Sequence, residues 1–116
     1  MPGNISLESV QKFIETDYTV WNKSLKDLAL RDQSLNVLAR LTEDLGAIYV
    51  SIAARFGLQS EYSDVPVDPA RALATVIIDA HFLSQILGID IFAAVNKKME
   101  EVHAKIRIRE NVKTVG

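Results

Sequence analysis

Leu7, Val10, Ile14, Tyr18, Trp21, Leu25 and Leu28 recur at intervals of three and four, with Glu8, Lys12, Glu15, Asp17, Lys23 and Lys26 between them. That period places the apolar side chains on one face of a helix, and Ser6 stands where its cap belongs. The polar stretch Arg31 to Ser34 predicts a break, followed by a second helix from about Leu35 to Phe56 that ends at Gly57 in a left-handed stop. Its apolar line is Leu38, Leu41, Leu45, Ile48 and Ile52. Beyond Leu45 it is apolar on nearly every side, through Ala47, Val50, Ala53 and Ala54, the pattern of a central helix or a dimer seam. Residues Leu58 to Val67, with Ser60, Ser63, Asp64 and Pro66, read as the one substantial loop and a candidate lid.

Order resumes at Asp68 and Pro69, a cap followed by proline in the first helical position, opening a third helix to about Leu87. Gly88 closes it and Asp90 caps a fourth helix, whose stripe is Phe92, Val95, Met99, Val102 and Ile106. The short turn between them predicts antiparallel neighbours, and fraying is expected beyond Arg109. The sequence therefore predicts an all-α fold of four main helices in a single domain spanning residues 1–116, with an ordered core of about 6–109 and a tail at 110–116.

Composition narrows the classes. Hydrophobic residues make up 48% of the 116 and charged ones 24%. A mean hydropathy of +0.10 leaves more apolar surface than a small monomer hides, so a homo-oligomer is expected. A net charge of −2 makes nucleic acid an unlikely partner. With no cysteine there is no disulfide frame, thiolate metal site or cysteine nucleophile. No apolar run approaches bilayer length and the amino terminus lacks a secretion pattern, so the expected location is the cytoplasm, without a membrane partner.

Candidate chemistry gathers at Asp79, set within the apolar stretch Ala72 to Leu83. A carboxylate on such a face must meet a cation, hydrogen bonds or a metal, because leaving water unpaired costs too much. Glu43 and Asp44 on the preceding helix are the carboxylates able to meet it across a packed pair. Together the three make a possible magnesium site, since magnesium takes hard oxygen ligands and is often held by one or two carboxylates plus phosphate. The alternative needs no metal: Arg40 is spaced to pair with Asp44, and Arg71 or Lys98 can reach Asp79. His81, two residues from Asp79, points to another side of the helix, and neither it nor His103 has a partner at zinc-ligand spacing.

The segments Leu41 to Ile48 and Ile78 to Met99, with Leu-Gly-Ile-Asp at 87–90 and the following Lys-Lys-Met-Glu at 97–100, resemble the MazG-like all-α nucleoside triphosphate pyrophosphohydrolases. The resemblance implies a four-helix MazG-like bundle, assembled as a dimer or tetramer, that binds magnesium through Glu-Glu-x-x-Glu and Glu-x-x-Asp motifs and cleaves a triphosphate between its α and β phosphates. Carried over by residue, it makes Glu43 the catalytic carboxylate, Asp44 and Asp79 the metal ligands, and Lys98 and Lys105 the substrate-binding cations. Ala47 and Val76 stand where two further acidic ligands belong, and Val102 replaces a polar residue between the two lysines. Halving the carboxylates of a metal clamp lowers activity by orders of magnitude. Two readings follow: a divergent pyrophosphohydrolase-type domain, weakly active or inactive, that binds a nucleoside triphosphate with magnesium; or a non-catalytic structural or protein-interaction helical dimer in which Asp79 is only ion-paired.

Overall fold

The computed structural model of the chain describes residues 5–57 and 68–115, and every element in them is helical. The predicted lid, including Asp64 and Pro66, lies outside them. The elements run α1 (Leu7–Phe13), a π-helical segment (Ile14–Tyr18), α2 (Thr19–Trp21), a 3₁₀ turn (Lys23–Leu25), α3 (Leu30–Arg55), α4 (Pro69–Ile86) and α5 (Ile91–Val115).

Ser6 caps α1 as expected: its hydroxyl accepts from the Ser9 N–H at 3.1 Å while the Ser9 hydroxyl accepts from Ser6 N–H at 3.0 Å. The helix does not continue unbroken to Leu28. The π segment adds a residue to one turn, so each side chain beyond it is rotated around the axis. Trp21, predicted on the apolar line, is 82% exposed, and Asn22 occupies the buried position instead.

The predicted break at Arg31 to Ser34 is the first turn of α3. Ala29, in extended conformation, supplies no side-chain cap, but Gln33 Nε2 donates to the Leu28 carbonyl at 2.8 Å and the Ser34 hydroxyl donates to the Leu30 carbonyl. Asp32 there favours the positive end of the helix dipole. Gly57 and Gly88 take φ of +74° and +69°, the left-handed stops that their positions predict.

Helices α3 and α4 form the packed unit, in opposite directions: Val37 shares a cluster with Phe82, and one turn later Arg40 meets Asp79. The core cluster is Ile14, Leu25, Val37 and Phe82, with Val10, Tyr18, Leu41, Ile78, Leu83 and Ile86 against it. The N-terminal segment thus lies across the α3–α4 pair and closes one end.

The fourth predicted helix departs from the expectation. Between α4 and α5 the axis turns by 113° and does not reverse. Ile89 N–H donates to the Ser84 carbonyl at 2.8 Å, tying the turn to the end of α4, and Asp90 already caps α5 through the Ala93 N–H. Those bonds fix the four linking residues, a length that otherwise allows a hairpin of helices, at the observed angle. Apart from its first turn, where the Phe92 ring lies 6.3 Å from His81, α5 packs along no other described helix. It also stays helical to Val115, well past Arg109. The radius of gyration is accordingly 18.5 Å, against about 13 Å for a compact domain of this length. No single described helix is long and apolar enough to cross a membrane.

Candidate functional site

Asp79 is fully buried. Its position on α4, inside a run of apolar residues, turns the carboxylate into the seam with α3 and the N-terminal segment. Both of those elements answer it. The Tyr18 hydroxyl donates to Oδ1 at 2.6 Å, and Arg40 Nη2 donates to the same oxygen at 3.0 Å. The other terminal nitrogen, Nη1, donates to Asn22 Oδ1 at 2.6 Å, while Asn22 Nδ2 donates to the Tyr18 carbonyl at 2.9 Å. The four residues form a ring of hydrogen bonds from three elements, with a charge-assisted bond at its centre.

The aromatic walls belong to the same arrangement. Tyr18 meets Phe82 edge-on at 5.2 Å, and the Arg40 guanidinium lies 5.9 Å from the Tyr18 ring and 6.0 Å from Phe82. Planar, weakly hydrated guanidinium suits such stacking better than an ammonium would. Among the described residues Asp79 Oδ2 and Arg40 Nε are buried without a hydrogen-bond partner, so the ring is tight on one edge and unsatisfied on the other. The π segment ends at Tyr18 itself, and its widened turn sets the phase that brings the phenol and Asn22 to one side.

Burial, followed by the hydrogen bond to Asp79, pushes the Tyr18 phenol up to about 12 from its ordinary 10.0. A folded value above the unfolded one leaves stability intact below pH 10, and stability is lost as pH rises from 10 through 12. In an ultraviolet pH titration one of the three tyrosines is therefore expected to ionise near pH 12. That step should vanish in Tyr18→Phe; a single transition near 10 in the parent would contradict the ring.

Of the residues predicted from sequence, the fold brings together Asp44 and Asp79. Asp44 is partly buried on α3, and its carboxyl is raised above its usual range by that burial first, then by the charges of Asp79 and Glu43, with Arg40 opposing. Glu43 is exposed. Arg40 pairs with Asp79, where the helical spacing suggested Asp44 and where Arg71 or Lys98 were the expected cations. Lys98 lies 3.9 Å from Glu101, and Lys105 is exposed; both ride on α5, which packs along neither α3 nor α4. His81 is buried, its Nδ1 hydrogen-bonded to the Ile77 carbonyl at 2.9 Å and not to Asp79.

Because Asp44 is raised, its charge costs stability at neutral pH, and that cost disappears once pH falls below the ordinary 3.8. Asp44→Asn is expected to be more stable than the parent at pH 7, the partly wet site damping the effect. The gain should be absent at pH 3.5. Urea midpoints at the two pH values test it, and a variant less stable at pH 7 would show that Asp44 is favourably paired.

Magnesium requires about six oxygen ligands in near-octahedral array. Among the described residues no group of three His, Cys, Asp or Glu side chains is placed to hold a metal, and Asp79 Oδ1 already takes two donors, one of them cationic. An open apolar groove of about 300 Å³, lined by Ile5, Ser9, Val10, Phe13 and Ile78, offers no charged group and is not an extension of this site.

The partners sequence reasoning missed are Asn22, and Arg40 and Tyr18 in their roles toward Asp79. They lie 57, 39 and 61 residues from it, with only the burial of an aspartate to signal that such partners exist. Models of known protein families, curated proteins and solved structures yield no match to the chain.

Proposed function

We propose that this chain is a divergent MazG-like pyrophosphohydrolase-type domain that has kept the helical scaffold and lost the reaction, and that it acts as a homo-oligomeric interaction protein. The observation that carries the proposal is the Arg40–Asp79 pair: the carboxylate that the resemblance makes a metal ligand is fully buried against a guanidinium of its own chain at 3.0 Å. A guanidinium neutralises Asp79 but neither polarises water toward hydroxide nor offers an open coordination position. With Ala47 and Val76 at two acidic positions, Asp44 is the uncommitted carboxylate left beside it among the described residues. Support for assembly comes from the balance of surfaces. Among the described residues six apolar ones are buried, whereas Trp21, Tyr49, Phe56 and Ile108 are more than 60% exposed.

One observation favours nucleotide binding as the second reading. Asp44 is held near another carboxylate at a cost in stability, as ligand sites often are. Thermal shift with magnesium and a panel of nucleoside triphosphates, on the parent and on Asp79→Asn, separates the two. The proposal expects no stabilisation in either protein. A rise in Tm that requires both magnesium and Asp79 would replace it with the nucleotide reading, and release of pyrophosphate would restore an enzyme.

A further inference from the structure

Two apolar stripes of the same period stand without a partner among the described residues. On α3, Leu35, Leu38, Thr42, Leu45, Tyr49, Ile52 and Phe56 follow spacings of three and four without interruption. The six apolar members are 48–73% exposed. On α5, Phe92, Val95, Met99, Val102 and Ile106 repeat the same alternation, with the last four 37–51% exposed. An apolar period of 3.5 is the pattern of helices that pack lengthwise on another helix. Among the described residues neither stripe is used within the protomer: the opposite side of α3 packs on α4, and α5 packs along no other helix beyond its first turn.

We propose that the two stripes cover each other between copies: α5 of one protomer lies along the exposed face of α3 in a second, and the second returns its own α5. This rests on the homo-oligomer reading above and specifies its geometry. The protomer's own α5 cannot serve, because the 113° turn at Leu87–Asp90 sends it away from α3 and the turn is tied down by the Ile89 and Asp90 hydrogen bonds. A protruding helix fixed at its root is suited to reciprocal exchange, which closes a two-fold dimer without leaving a free face. The areas agree. One α3–α5 contact removes on the order of 900 Å² from water, and two remove about 1,800 Å², within the range of stable specific interfaces.

The test uses two full-length variants, Leu45→Glu on α3 and Val102→Glu on α5, both at side chains that are about half exposed in the protomer. Light scattering of the parent should give twice the protomer mass or a multiple of it, and each variant alone should fall to the protomer mass with its helical circular dichroism retained. Mixed in equal amounts the two should recover a dimer, because the mixed pair contains one contact in which both stripes are unaltered. A dimeric Val102→Glu, or a monomeric mixture of two helical variants, overturns the exchange while sparing self-association. A monomeric parent removes self-association itself. Should a variant lose its helicity, carbodiimide crosslinking of a mixture of ¹⁴N and ¹⁵N parent decides: mixed-isotope links between Glu43 and Lys97, Lys98 or Lys105 are expected, and their absence overturns the exchange.

Discussion

Arg40→Met is expected to lower stability by about 3 kcal/mol, because it leaves the buried Asp79 carboxylate with a phenol as its sole partner. Asp79→Asn should cost less, roughly 1 kcal/mol. The Arg40 side chain is 32% exposed, so its released guanidinium can turn toward water, whereas the Asp79 side chain at 1% has no such recourse. The double variant Arg40→Met/Asp79→Leu should return to within about 1 kcal/mol of the parent, since an apolar pair of similar volume carries no desolvation penalty. Urea denaturation of the parent, Arg40→Met, Asp79→Leu and the double variant closes the cycle. Additive losses would mean that the two side chains do not interact and that Arg40 does not neutralise Asp79.

Phe82→Ala is expected to cost about 3–4 kcal/mol, a large share of the 5–15 kcal/mol that holds a typical domain. Phe82 is one of four residues in the buried cluster and also forms the aromatic wall beside Tyr18 and Arg40, so its loss opens a cavity and wets the polar ring at once. Two readouts should therefore move together: the urea midpoint falls, and the late tyrosine step slides from about 12 back toward 10 as water reaches the phenol. Leu73→Ala, at a side chain 51% exposed on the same helix, should change the midpoint by less than about 0.5 kcal/mol. A Phe82 variant that shifts stability but leaves the titration untouched would separate the core from the ring.

Local rules were enough for the ends of the helices. Ser6, Gly57, Asp68 with Pro69, Gly88 and Asp90 act within a few residues of themselves, and each does in the fold what its position predicts. The spacing of Tyr18, Trp21 and Leu25 predicts one long first helix, but a π turn rotates everything after it and nothing in that spacing announces the insertion. Helix α3 starts five residues before the predicted Leu35, although Arg31 to Ser34 has the composition of a loop. In fact Gln33 and Ser34 bond back to carbonyls of the preceding turn.

What the sequence determined by itself was an all-α chain, its capped helix ends, and an aspartate whose apolar surroundings required a partner; these depend on periods and neighbours a few residues apart. Only the tertiary structure decided that the partner is Arg40 with Tyr18 and Asn22, and that α5 turns away through 113°. Such outcomes turn on which elements pack across tens of residues and in what phase, and a linear pattern of apolar positions carries no information about the angle at which two helices meet.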